Sequence, residues 1–376
     1  MSDEKDAILS THLKDFMEYT KIDYSHIDGM KQMFSLPIFS PCDVKFIINE
    51  VTSVFKSENM LMEINSPMVV VGDIHGHIFD LFRIIQTVGG PSETKFLFLG
   101  DIVDRGEFSI ETCIFIYLMK AVYPKNVFMI RGNHEFSSMC RSFGFANEIN
   151  RLYNDESIFE EFMKSFSFMP IAARIDHKYI CLHGGIGPNV FSLLQMQSIE
   201  RPLTDFTEAI PNSILWSDPA PSSIGFEQST RGCGFLFGED ALYSFLTQTE
   251  SKCLIRGHEC VMDGVEFLFN ESLITVFSAS NYCGSSNNKS GILQINGNAL
   301  NPIRFEPLHY INRSSVYFQS PLSKSDSSNI VFKDHKPPLL KKTITQSTST
   351  FLTKHKSLQR SSFGRFSMIA LHNVLK

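Results

Sequence analysis

Six side chains of metal-ligating type fall in five short clusters, each just past a run of apolar residues. They are Asp73 and His75 in VGDIHGH, Asp101 in GDIVDRG, Asn133 in RGNHE, His183 in LHGG and His258 in RGHE. Taken singly each is ordinary, because a Gly-Asp turn near a histidine, or a lone histidine at a strand end, is usually a satisfied structural residue. Independent accidents would have to multiply to place all six in this order. Six oxygen and nitrogen donors without a thiolate exceed what one structural zinc needs, and suit a pair of harder or borderline divalent ions bridged by a carboxylate. Two such ions about 3.5 to 4 Å apart can share a water, lower its pKa toward about 7 and hold it in line with phosphorus. The chemistry implied is metal-assisted hydrolysis of a phosphate ester.

Such a site needs loops that converge, and the apolar runs supply them. MVVVGD, KFLFLGD, VFMIRGNH, YICLHGG, CLIRGH and LITVFSASN each read as a buried strand ending in a loop. Helical patterns at Phe79–Val88 and Ile110–Val122 separate the first three runs, as alternating β-α-β units require, which predicts an α/β class. Ligands in such sheets collect at the carboxyl ends of the strands. Upstream, Ser40-Pro41 reads as an N-cap followed by an N1 proline, and Val44, Ile47, Ile48, Val51 and Phe55 recur at helical spacing to about Glu58. No internal repeat of fixed period is present.

The 43% hydrophobic and 20% charged composition is close to the globular average. The start MSDEKD lacks a signal peptide's basic and apolar regions, and no apolar run approaches the roughly 18 residues that span a bilayer. The expectation is a soluble chain in the cytoplasm, with the nucleus as a second location, and no membrane partner. Eight scattered cysteines with no C-x-x-C pair read as buried thiols. The net charge of −6 is uneven: residues 312–376 hold eleven Lys and Arg against two Asp, a net +9 that leaves −15 on residues 1–311. Residues 1–311 are therefore read as one catalytic domain, with a helical part over about 1–60, and 312–376 as a basic, Ser/Thr-rich, disordered tail. That tail lacks the interleaved aromatics of a nucleic-acid platform. Its last segment, with serines after Arg360 and Arg365 and apolar Phe366, Ile369, Ala370 and Val374, reads as a phosphorylated or autoinhibitory element.

GDIHG, GDIVDRG, GNHE, HGG and RGH, together with ILWSDP and SASNYCG, closely resemble the signatures of the phosphoprotein phosphatase family of serine/threonine phosphatases, over about residues 35–305. The resemblance implies a four-layer α-β-β-α metallophosphoesterase fold, a central β-sandwich flanked by helices. It assigns Asp73 and His75 to a first metal, Asp101 to the bridge, and Asn133, His183 and His258 to a second, with manganese, iron or zinc as the ions. It makes His134 a general acid oriented by Asp104, Arg105 and Arg231 a phosphate clamp assisted by Asn133, and Tyr282 a residue of the rim. Phosphoprotein substrates and regulatory or docking subunits are the implied partners. The chain departs from the family pattern at Ser280, where proline is usual, and at Gly257, where alanine is common. It also lacks the acidic-aromatic pair after CGSSNNKSG begins, and Thr230 stands where aspartate is frequent. Phe267, Ile274 and Leu300 resemble a docking groove, but Glu271 and Ala299 depart from it, and core packing is the better account of them. Two other readings fit the same motifs: a hydrolase of dinucleoside polyphosphates, and an inactive scaffold that binds phosphoproteins.

Overall fold

A computed structural model describes residues 2–24 and 34–319. Short apolar runs become strands of two sheets. The first has the order β15 (Ala299–Phe305), β14 (Ser290–Asn296), β3 (Met68–Val71), β4 (Phe96–Phe98), β5 (Val127–Met129). Its β3, β4 and β5 run parallel, joined by α3 (Ile78–Val88) and α4 (Ser109–Val122) as the helical spacing predicts. The second sheet has the order β12 (Val265–Leu268), β13 (Leu273–Val276), β11 (Cys253–Arg256), β7 (Tyr179–Cys181), β6 (Ala172–Ile175), β2 (Leu61–Ile64).

Period-2 alternation explains why strands with no polar face are needed. In the first sheet Val70, Leu97 and Leu99 point into a core shared with Cys181, Ile255 and Val276 of the second. Val69, Val71, Phe96, Phe98, Val127 and Met129 point the other way, into a core with the helices. Those helices include α1 (Ser2–Tyr19), α2 (Pro41–Ser57), α6 (Phe145–Tyr153) and α7 (Glu156–Phe166), with α5 (Ser137–Phe143) alongside. The outer face of the second sheet, through Ile180, Leu182, Leu254 and Leu273, packs on α8 (Leu193–Gln197), α9 (Ala209–Trp216) and α10 (Glu239–Gln248). The result is the four-layer α-β-β-α arrangement. Helix α2 begins where expected: the Ser40 hydroxyl accepts the Asp43 N–H at 3.2 Å and Pro41 opens the first turn.

Many of the chain's 34 phenylalanines lie in the helix-side core. Phe16 of α1 stacks on Phe115 of α4 at 4.8 Å, and Phe82 of α3 meets Phe115 at 5.5 Å. Large flat rings thus fill the gap between three helices and the sheet.

A small sheet, β8 (Asp218–Pro219), β10 (Phe235–Phe237) and β9 (Phe226–Gln228), stands beside the second sheet's helices. The expected boundary at residue 312 needs correction. Asn312–Gln319 belongs to the body, because β16 (Val316–Gln319) pairs in parallel with β1 (Phe34–Pro37) and Arg313 is anchored among carboxylates. The basic segment from residue 320 onward, including its apolar face, lies outside the described residues. No helix among the described residues is long and apolar enough to cross a membrane.

Candidate metal centre

The loops after β3, β4 and β5 carry Asp73 and His75, Asp101, and Asn133 with His134; those after β7 and β11 carry His183 and His258. A parallel bridge from Asp73 to Phe277, and the Ser278 N–H to the Asp73 carbonyl at 3.0 Å, lock the two sheets together at this end. His75, Asp101, Asp104, Arg105 and His258 all have φ between +45° and +70°. Non-glycine residues held there cost about 1–3 kcal/mol each and persist only where surrounding structure over-determines them. Glu135 supplies much of that restraint, its carboxylate accepting the N–H groups of Asp101, Ile102 and Gly132 at 2.8–2.9 Å.

Two backbone carbonyls set the histidines. His75 Nδ1 lies 2.8 Å from the Val103 carbonyl, and His183 Nδ1 lies 2.8 Å from that of Leu99. Each ring therefore turns Nε2 toward Asp101, at 3.4 Å from Oδ2 for His75 and 3.4 Å from Oδ1 for His183. One carboxylate thus faces two groups of donors. His75, Asp101 and His134 form one set whose ligand atoms lie within 4.8 Å of one another, and Asp101, His183 and His258 form a second. Asp73 Oδ2 is 3.8 Å from His75 Nε2 and has no hydrogen-bond partner although buried. The Asn133 side-chain oxygen sits 2.9 Å from His183 Nε2, 3.2 Å from His258 Nδ1 and 3.0 Å from the nearer Asp101 oxygen, so it faces only lone pairs unless the amide is turned over to donate to them. Buried acceptors gathered in this way are satisfied by cations between them. The donor set, carboxylates, imidazoles and an amide without thiolate, fits divalent ions.

The charges of these buried groups depend on one another. Burial and the adjacent Asp101 push the Asp73 carboxyl up to about 7. Burial pulls His183 down, but Asp101 and Asp73 outweigh it and hold the imidazole at about 9. Burial depresses His75 to about 3. Gly257, one of the departures noted above, has a local reason: a Cβ there would overlap the Asp73 carboxylate, whose Oδ1 accepts the His258 N–H at 2.9 Å.

Beside these side chains lies a buried histidine–carboxylate pair. His134 Nδ1 is 2.8 Å from Asp104 Oδ2, while Asp104 Oδ1 accepts the Phe145 N–H at 2.9 Å. Burial lowers the His134 pKa, but Asp101 and Asp104 together raise it above its ordinary value. The Arg105 guanidinium lies 4.0 Å over the Phe143 ring, and its Nε is buried without a hydrogen-bond partner. Stacking holds the group while leaving donors for an anion. Arg231 gives Nε to Asp218 Oδ2 at 2.5 Å. The charge of Arg105 lowers the pKa values of His75 and His134, and that of Arg231 lowers the pKa of His258, so both cations lie near the cluster. Tyr282, half-buried, places its ring 5.3 Å from His75.

Asp218 was given no role by the motif that contains it. Its other oxygen accepts from Arg256 Nη2 at 2.8 Å, so it joins Arg231 to a fully buried arginine. An acidic residue directly after ILWS is the only signal, and it does not reveal the partner. Ser280 is explained too: its N–H donates to Asp80 Oδ2 at 2.8 Å and its hydroxyl accepts from the Leu308 N–H at 3.0 Å. Proline could make neither bond. Ile274 is buried in the inter-sheet core, with Phe267 and Leu300 partly buried against it.

Residues 66–262 match the family model of the calcineurin-like phosphoesterases. Over 246 residues the chain is 37% identical to "Serine/threonine-protein phosphatase PP1-delta" of Caenorhabditis elegans, covering 65% of this chain and 81% of that one. A solved protein serine/threonine phosphatase from Saccharomyces cerevisiae, described as similar to human phosphatase PP5, superposes with a TM-score of 0.68 at 31% identity, over 72% of this chain and 91% of the other.

Proposed function

The chain belongs to the calcineurin-like phosphoesterase family and is a serine/threonine protein phosphatase; we propose that the residues gathered around Asp101 carry out hydrolysis of phosphoserine and phosphothreonine. The observation that supports this most is the Asp101 carboxylate, with one oxygen 3.4 Å from His75 and the other 3.4 Å from His183. Asp73, His75 and Asp101 would hold one divalent cation, and Asp101, Asn133, His183 and His258 a second, with manganese, iron or zinc as the ions. When bound, such cations offset the charge of the phosphate dianion and make water acidic enough to attack at neutral pH.

The remaining steps belong to the chain's own side chains. Arg105 and Arg231 donate hydrogen bonds to the phosphoryl oxygens, the fork of each guanidinium matching an O–P–O edge. Asn133 can donate through its amide to the same group. His134, as imidazolium, gives its Nε2 proton to the departing serine or threonine oxygen, which is too basic to leave unprotonated. Asp104 holds the ring by Nδ1 and favours the charged form. Tyr282 closes one wall against the protein substrate. Partners beyond the substrate would be regulatory or docking subunits.

The test is metal analysis of the purified chain combined with turnover on a phosphothreonine peptide and on a dinucleoside tetraphosphate, with and without added manganese. The expected result is about two divalent ions per chain and a preference for the peptide. Preference for the dinucleotide would make the chain a small-molecule phosphoesterase, and metal binding without turnover of either would make it a scaffold.

A further inference from the structure

Beyond β15 the chain contacts the loop after β13 and then the loops after β3 and β4, which carry residues of the metal centre, before ending in β16. Leu308 bonds the loop after β13, through its N–H to Ser280 and its carbonyl to the Asn281 amide at 3.1 Å. Tyr310 places its ring 5.7 Å from His77, two residues past the proposed ligand His75. Arg313 then reaches the loop that carries Asp104 and Arg105. Its backbone N–H donates to Glu107 Oε2 at 3.1 Å, and its Nη1 to the Glu107 carbonyl at 2.9 Å. Its guanidinium takes both oxygens of Glu111 at 2.6 and 2.8 Å and one oxygen of Glu148 at 3.1 Å.

Glu111 and Glu148 are both shielded from solvent, with side-chain exposures of 3% and 10%. Two carboxylates so placed repel unless a cation lies between them. Burial pushes Glu148 up to about 8, with Glu111 adding to the shift and Arg313 opposing it. Glu148 also does a second job: its oxygens accept the Ser109 and Ile110 N–H groups at 3.1 and 2.9 Å, at the start of α4, where no N-cap side chain serves them. Ser109 Oγ in turn accepts the Asp104 N–H at 3.2 Å, and Asp104 holds His134. An unbroken run of polar contacts therefore leads from Arg313 through Glu148, Ser109 and Asp104 to His134.

We propose that Arg313 is a positioning residue for phosphoester hydrolysis, fixing the start of α4 and with it the Asp104–His134 pair in the geometry that delivers a proton to the leaving oxygen. It lies outside the residues that match the family model, 66–262, and touches neither substrate nor ligands. The inference rests on the acid role given to His134 above.

A leaving-group comparison in the full chain tests it. A phosphothreonine peptide needs a proton on its departing alkoxide, whereas p-nitrophenyl phosphate releases a weakly basic phenolate and does not. Arg313→Met lowers kcat on the peptide about 10- to 100-fold but on p-nitrophenyl phosphate less than about threefold, with KM little changed, because a mispositioned acid affects only the first. Adding Glu111→Gln to Arg313→Met removes one of the crowded charges and restores most of the loss. Should Arg313→Met fail to fold, Arg313→Lys keeps the charge without the fork and shows the same selective loss, smaller in size. Equal losses on both substrates in these variants, or none, overturn the proposal if His134→Asn itself shows the selective loss. A wild-type chain inactive on both substrates, or a His134→Asn variant with an unchanged ratio, overturns the underlying reading and this inference with it.

Discussion

His134 is held by a hydrogen bond to Asp104, itself buried and fixed by the Phe145 N–H. Burial lowers the imidazole's pKa, and Asp101 and then Asp104 raise it above the ordinary value. The proposed acid role requires the protonated form, so kcat for a phosphothreonine peptide should fall on the alkaline side with a midpoint above the ordinary histidine value. Asp104→Asn removes the charge and moves that midpoint down; a pH profile that keeps its alkaline limb in place would contradict the pairing. His134→Asn should depress kcat by about 10²- to 10⁴-fold while the chain retains its metal content, measured by elemental analysis. Loss of both metals instead would mean that the ring is a ligand. At this scale the residues that gather around Asp101 were legible before any coordinates, because each is a polar side chain directly after an apolar run. The Leu99 and Val103 carbonyls that aim His183 and His75 were not, since every residue has a carbonyl. Nor was Asp218, whose meaning depends on Arg231 and Arg256 arriving from distant segments.

Strands and helices read well wherever a periodic pattern ended in a turn signal. All six apolar runs are strands, β3, β4, β5, β7, β11 and β13, and α2, α3 and α4 lie where the spacing put them. Sheet partnership was not legible. A strand buried on both faces is apolar throughout and does not indicate its neighbour, and β3 pairs with β14 across more than two hundred residues. The sandwich therefore came from family resemblance rather than periodicity. Helix α1 falls within the helical part expected over about residues 1–60, but its limits were not legible, because its buried stripe, Leu9, Leu13 and Phe16, is thin and shares its face with His12 among many charges. The loop after β13 gives this scale its prediction. Ser280→Pro would leave Asp80 Oδ2 and the Leu308 N–H each short of a buried partner, at about 1–3 kcal/mol apiece. The urea midpoint should drop without a change in the slope of the transition. An unchanged midpoint would mean that the loop and the segment around Leu308 are held by packing alone.

For the whole molecule the governing quantity is charge and where the body stops. Residues 320–376 hold ten Lys and Arg against two Asp, a net +8, so residues 1–319 carry −14. A cut after Ile311, suggested by composition, would remove Arg313 and the strand β16 as well as the basic segment. It would therefore mix the loss of a brace with the loss of a tail, and a cut after Gln319 separates them. A body this acidic should draw phosphopeptides with basic flanks by long-range attraction. Their kcat/KM should fall as salt shortens the Debye length from about 30 Å to about 3 Å, whereas peptides with acidic flanks change little or gain. If the basic segment competes for the same acidic surface, the chain ending at Gln319 turns over basic peptides faster than the full chain at low salt and equally at high salt. Equal rates at every salt concentration would show that residues 320–376 do not shield the site, and would remove autoinhibition as their role.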